Sequence, residues 1–106
     1  VAVGREAILS QHVGDQESPE AQGALERASA HLLAAWRATP AAIVADLHPG
    51  YWSSAWAARL ARERGVPLVR VQHHHAHVAA VLAEHGRDGA DAPPVIGAAM
   101  DGTGYG

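Results

Sequence analysis

The sequence predicts a small α/β unit in which a mostly parallel sheet is flanked by helices. Two short apolar runs, at residues 1–3 and 7–9, bracket Gly4-Arg5-Glu6 as the arms of a hairpin do. Apolar side chains then recur at helical spacing in three separate stretches. A run of β-type residues follows each stretch, so the chain reads as two strands and then helix–strand three times. That order favours parallel pairing through crossover helices.

Each element has local support. Residues 10–15 form a polar connection carrying His12 and Gly14. Ser18-Pro19-Glu20 has the marks of a helix start: a hydroxyl cap, proline at the first helical position and an acidic first turn. Leu25, Ala28, Leu32, Ala35 and Trp36 continue that helix toward Thr39-Pro40. Residues 42–45 are a short apolar run ending in Asp46. A second helix is expected over 53–64, stopped by Gly65. Residues 67–71 read as a strand, a histidine-bearing helix follows until Gly86, residues 89–94 form a loop, and 95–100 read as a last apolar strand.

Composition removes several chemistries. With 106 residues and 48% apolar side chains, one such unit is expected and no second domain. No cysteine is present, which rules out disulfides, thiolate zinc sites and cysteine nucleophiles within these residues. All eight basic residues are arginine, so no lysine Schiff base forms here. A net charge of −3 without a basic run argues against a nucleic-acid surface. No apolar stretch approaches a membrane span and no signal peptide is visible, so the expectation is a soluble, cytoplasmic chain.

Gln72-His73-His74-His75-Ala76-His77 is the densest chemical feature. It places four imidazoles in five positions at the start of a helix. On a helix His73 and His77 are i,i+4 neighbours with Cβ atoms roughly 5–6 Å apart, close enough to share one metal ion. His74 and His75 then lie about 100° and 200° around the axis, which gives them different tasks. The cluster is internal to an apolar pattern, unlike a purification tag. Histidines satisfied by backbone carbonyls are the plain alternative for any one of them.

The fold prediction sharpens this. Ligands of open parallel sheets bind beyond the carboxyl ends of the strands. Asp46 and His48 follow the first predicted parallel strand, residues 73–77 the second, and Asp101 the third. Two imidazoles and a carboxylate make a mixed nitrogen–oxygen site suited to zinc or iron. Three protein ligands leave positions open to substrate oxygens. Asp101-Gly102-Thr103-Gly104-Tyr105-Gly106 adds a glycine turn whose backbone N–H groups can approach a phosphate, although plain tight turns use the same residues.

Four blocks together carry a resemblance: Ser10-Gln11-His12-Val13-Gly14-Asp15, Asp46-Leu47-His48-Pro49-Gly50-Tyr51, Val71-Gln72-His73-His74-His75-Ala76-His77, and Met100-Asp101-Gly102-Thr103-Gly104-Tyr105-Gly106. In this order and spacing the chain resembles the HypF-type carbamoyltransferases of nickel–iron hydrogenase maturation. The resemblance covers nearly the whole sequence, which would be the first part of a Kae1-like domain. It implies the ribonuclease H-like half of an actin/hexokinase-type (ASKHA) fold, a mixed sheet flanked by helices.

The resemblance implies a reaction as well. HypF-type enzymes convert carbamoyl phosphate and ATP to carbamoyl-adenylate, then carbamoylate the C-terminal cysteine of a HypE-type partner. The product becomes the cyanide ligand of the hydrogenase iron. Adenylate formation belongs to a YrdC-like domain and the final transfer to the Kae1-like domain. By resemblance His73, His77 and Asp101 hold a divalent metal, zinc or iron. His74, Asp46 and His48 are the catalytic candidates, with His74 and His75 also able to support the site from behind. His12, Asp15, Gly102, Thr103 and Gly104 are candidates for binding substrate or nucleotide. His31 and His85 read as helix-surface residues. Trp36, Trp52 and Trp56 read as packing residues, and Arg59, Arg62 and Arg64 as a solvated helix face.

The family pattern further includes an acylphosphatase-like domain, a cysteine-rich zinc region and the YrdC-like domain, and these residues would stop at the start of the second half of the nucleotide-binding fold. The 106 residues alone are therefore expected to be inert and marginally stable. Two other readings stand beside this one. An antibiotic O-carbamoyltransferase or a tRNA threonylcarbamoyl transferase shares the scaffold, the latter disfavoured by the acidic balance and the His-His-His-Ala-His spelling. A noncatalytic metal-binding module is the third.

Overall fold

The chain begins with an antiparallel hairpin of β1 (Ala2–Val3) and β2 (Glu6–Ala7), in which Ala2 faces Ala7 and Val3 faces Glu6. A computed structural model describes residues 1–102 and Tyr105. Glu6 lies in the second strand rather than in the turn. Two residues suffice to reverse the chain because Gly4 adopts φ +61°, a left-handed conformation that glycine reaches without steric cost. The Val1 amino group and the Ile8 carbonyl, 2.9 Å apart, extend the pairing outward.

Helix α1 (Pro19–Ala35) starts where the cap chemistry dictates. Ser18 is extended, and its hydroxyl accepts a hydrogen bond from the Ala21 N–H at 3.1 Å. A cap of this kind contributes about 1 kcal/mol. The helix ends before Thr39-Pro40 in a left-handed stop. The Ala38 N–H donates to the Leu33 carbonyl, the Arg37 N–H donates to that of Ala34, and Arg37 carries φ 49°. Arginine there lacks the glycine that usually fills such a position. Trp36, read as a packing residue, instead caps this helix and is exposed.

The centre is an alternation of strand, helix and strand. β3 (Ile43–Asp46) pairs in parallel with β4 (Leu68–Val71) through α2 (Trp52–Arg64). The register sets Ile43 opposite Leu68 and Asp46 opposite Val71. Helix α2 lays Ser54, Ala57 and Ala61 against the pair, and all three are buried. Small side chains let helix and sheet backbones approach closely, so this core depends on proximity rather than on interlocking large residues. The opposite face of the sheet exposes Val44 and Val69, which are register partners. Gly65 (φ 65°) and Gly86 (φ 63°) stop α2 and α3 (His73–Glu84) with the same paired hydrogen bonds that end α1.

One expected strand is not formed. Among the described residues the sheets are two pairs, β1–β2 and β3–β4, and residues 95–100 belong to neither. This segment runs along α3 instead: a Cβ on Gly97 would stand 2.5 Å from both methyl groups of Val78. A strand exists only by its ladder partner, and a backbone laid on a helix has none. The fold is α/β as expected, but with two small sheets in place of one continuous sheet.

Candidate metal centre

Parallel register brings the site together. Asp46 ends β3 and Val71 ends β4 directly beside it, so Gln72 and His73 emerge at the same edge as the Asp46 side chain. Gln72 caps α3, its side-chain carbonyl accepting from the His75 N–H at 2.8 Å. That starts the helix on His73 and sets His73 and His77 one turn apart.

Three donor atoms converge there. The Nε2 atoms of His73 and His77 are 3.2 Å apart. Asp101 Oδ2 lies 2.8 Å from the first and 3.4 Å from the second. One ligand atom from each residue falls within 4.8 Å of the others. Tetrahedral bonds of roughly 2.0–2.1 Å set ligand atoms about 3.3 Å apart, so the observed separations suit a single ion. Asp101 arrives at the end of the extended segment over α3 rather than at the end of a third strand, and still reaches the edge.

Asp46 lies behind this group. Its Oδ2 is 2.7 Å from His73 Nδ1, the ring nitrogen facing away from Asp101, and its Oδ1 accepts from the His48 N–H at 2.8 Å. Its own backbone carbonyl accepts from the Ser54 hydroxyl at 3.0 Å and from the Arg70 guanidinium at 3.3 Å. Four partner residues thus hold Asp46 in place.

The neighbours assign protons to the rings. Gln72 has its carbonyl committed to His75, so its amide N–H donates to His74 Nδ1 at 3.0 Å. Neutral His74 therefore carries its proton on Nε2. The Gly50 N–H donates to His48 Nδ1 at 3.0 Å, with the same consequence. His73 differs, because a carboxylate can only accept. Its Nδ1 carries a proton for Asp46; at Nε2 a proton donated to Asp101 Oδ2 at 2.8 Å occupies the lone pair that a metal ion would otherwise take.

Charge follows the same pattern. The hydrogen bond to Asp46 raises the His73 pKa above the ordinary imidazole value; burial opposes this, and the charges of Asp46 and Asp101 add to it. Burial alone would raise Asp46, but the His48 N–H and the bond and charge of His73 outweigh it and hold the carboxyl below the usual range. Asp101 is likewise lowered: burial is outweighed by the Gly102 N–H and by His73 and His77.

The remaining candidates separate. His48 stacks on Tyr51, with centroids 4.1 Å apart and planes 8° from parallel, and Tyr105 meets its edge at 5.1 Å. The Gln72 amide also donates to the Tyr105 carbonyl at 3.0 Å. Gly102 donates its N–H to its neighbour Asp101. Thr103 and Gly104 lie outside the described residues. His12 and Asp15 are exposed in the connection before α1, where Asp15 Oδ1 accepts from the Glu17 N–H; the structure does not bring them to the histidines. His75 is exposed on α3. Gln72 and Tyr51 went unrecognised in the sequence. Glutamine is outside the favoured capping set, and a tyrosine three positions past a histidine signals stacking only when the intervening turn is known.

An α/β unit with imidazoles and carboxylates gathered at the carboxyl edge of parallel strands has its candidate ligand site at that edge, where open parallel sheets place their ligands. The family model for the HypF Kae1-like domain matches residues 1–84. The chain belongs to the HypF family, whose curated relatives are named carbamoyltransferases. It is 52% identical over 103 residues to carbamoyltransferase HypF2 of Cupriavidus necator, covering 97% of this chain and 12% of that protein. It is 44% identical over 106 residues to carbamoyltransferase HypF of a Synechocystis species, covering 100% of this chain and 13% of that protein. The chain thus spans a small part of these relatives' length. It superposes on a crystal structure of full-length HypF in the phosphate- and nucleotide-bound form with TM-score 0.78 and 38% identity, over 90% of this chain and 14% of that one. For HypF of T. kodakarensis the TM-score is 0.68 at 38% identity, over 73% and 10%. Among the described residues no helix is long and apolar enough to cross a membrane.

Proposed function

We propose that these residues form the metal-bearing edge of the transfer site in a HypF-type carbamoyltransferase. The whole enzyme uses carbamoyl phosphate and ATP, by way of carbamoyl-adenylate, to carbamoylate the C-terminal cysteine of a HypE-type maturation protein. The sequence is read as the first part of a Kae1-like domain. The observation that carries the reading is the convergence of His73, His77 and Asp101 within 4.8 Å, in a family whose named members are carbamoyltransferases. That membership favours this reading over the antibiotic and tRNA transferases and over a metal store.

His73, His77 and Asp101 would hold a divalent metal, zinc or iron, and their nitrogen–oxygen donor set fits either. When bound, such an ion supplies a Lewis acid for phosphate and carbonyl oxygens. The chain's own groups act around it. His74 carries its proton on Nε2 and offers it as a hydrogen-bond donor to oxygen that gains charge as the acceptor attacks. His48 offers the same kind of donor, steadied by Tyr51. Gly102, with Thr103 and Gly104 beyond it, is assigned to nucleotide or phosphate, and His12 and Asp15 to the carbamoyl end.

The test uses full-length enzyme with His73→Ala and His77→Ala. Both variants should lose bound metal and carbamoyl transfer to the acceptor cysteine while retaining carbamoyl-phosphate-dependent ATP–pyrophosphate exchange. Full transfer activity in either variant defeats the proposal.

A further inference from the structure

We infer that Asp46 is a positioning residue that selects which nitrogen of His73 is free to bind metal. The inference rests on the metal reading above and concerns a residue that does not itself touch the ion. Asp46 approaches His73 at Nδ1, whereas His77 and Asp101 approach at Nε2. The two ring nitrogens diverge, so a carboxylate at the first cannot share an ion held at the second. What Asp46 does is fix the proton. A carboxylate accepting at 2.7 Å retains the proton on Nδ1, so the proton that metal displaces is the one on Nε2, beside Asp101 and His77.

The contrast with the neighbouring histidines shows that this is selective. His48 and His74 each accept a hydrogen bond at Nδ1, from the Gly50 N–H and the Gln72 amide. Both therefore carry their proton on Nε2 and present a donor rather than a lone pair. Of these three rings His73 alone has a carboxylate at Nδ1. The carboxylate is held rigidly, since its Oδ1 is committed to the His48 N–H and its backbone carbonyl to Ser54 and Arg70.

This arrangement makes an unusual demand of an isosteric change. In Asp46→Asn the amide oxygen must take the His48 N–H, which leaves the NH2 facing His73 Nδ1. An NH2 there donates to Nδ1 and drives the proton onto Nε2, where it blocks the ligand position. Asp46→Ala removes the carboxylate but imposes no wrong tautomer. The conservative replacement should thus be the more damaging one, which a purely structural role for Asp46 does not produce.

The experiment titrates Co2+ into metal-stripped, full-length protein, following the visible absorption of bound cobalt, and obtains Zn2+ affinity by competition. Asp46→Asn should weaken affinity by about 10- to 100-fold, and by more than Asp46→Ala. The cobalt spectrum at saturation should match that of the unaltered protein, because the ligands are the same. If alanine prevents folding, Asp46→Ser, whose hydroxyl can accept from His48, replaces it. Wild-type affinity in Asp46→Asn, greater loss in the alanine or serine variant, or a changed cobalt spectrum would each overturn the inference. Absence of metal uptake by the unaltered protein would instead overturn the metal reading beneath it.

Discussion

His73 Nε2 and His77 Nε2 stand 3.2 Å apart and share Asp101 Oδ2 as their nearest carboxylate oxygen. Two imidazole lone pairs cannot face each other at that distance without a cation, either a proton or a metal, between or beside them. Proton and metal therefore compete for the same atoms, and pH decides the outcome.

The sign of that competition follows from the directions of the shifts. The His73 pKa is raised in the folded state, so its contribution to stability is fully present below the unfolded imidazole value and disappears as pH rises through the folded one. Asp46 and Asp101 are lowered, so theirs is present above the unfolded carboxylate values and disappears as pH falls through the folded ones. Metal requires unprotonated Nε2, so metal affinity rises as pH climbs through the His73 pKa. Imidazole resonances of the metal-free protein should place His73 above an ordinary histidine. A value at or below the ordinary one would contradict the Asp46–His73 geometry.

Ser54 is only 1% exposed and donates to the Asp46 carbonyl at 3.0 Å. Ser54→Ala removes that donor, and Arg70 at 3.3 Å replaces it only in part. The expected loss is roughly 1 kcal/mol in urea unfolding. Ser54→Leu should cost more, since α2 and β3 are packed too closely for a larger side chain. Equal stability of all three proteins would refute the close packing.

Arg37→Gly should stabilise the fold by roughly 0.5–1 kcal/mol. Relief of a left-handed non-glycine residue is worth about 1–2 kcal/mol, and the added freedom of glycine in the unfolded chain offsets part of it. Arg37 carries φ 49° in the stop of α1, where α2 and α3 use Gly65 and Gly86. A melting temperature that falls on this substitution would show that the arginine side chain has a role of its own.

Gly97→Ala tests the path that brings Asp101 to the histidines. The added methyl group would sit 2.5 Å from the Val78 methyls, and a β-branched side chain on a helix has little rotamer freedom to yield. Residues 95–100 should lift from α3, and Zn2+ affinity should fall. The double variant Gly97→Ala with Val78→Ala should recover it. Undiminished affinity in the single variant would mean that Asp101 is delivered by another route.

Local elements were legible because their signals are local. Ser18-Pro19 starts α1, Gly65 and Gly86 stop the two later helices, and each acts through backbone groups a few residues away. The hairpin boundary moved because a two-residue turn needs only Gly4. Residues 95–100 read as a strand because apolar β-type residues describe what a segment can pair with, not what lies beside it.

By itself the sequence determined the α/β order, the helix termini and the i,i+4 spacing of His73 and His77, since hydrogen bonds along one stretch of chain set all three. Only the tertiary structure decided which groups meet. The parallel register placed Asp46 at His73 Nδ1, the path over Val78 carried Asp101 to Nε2, and the same edge left His12 and Asp15 elsewhere. Those meetings join residues far apart in the chain, Asp46 and His73 by 27 positions, and distance through space at such separation follows from packing, which no local pattern encodes.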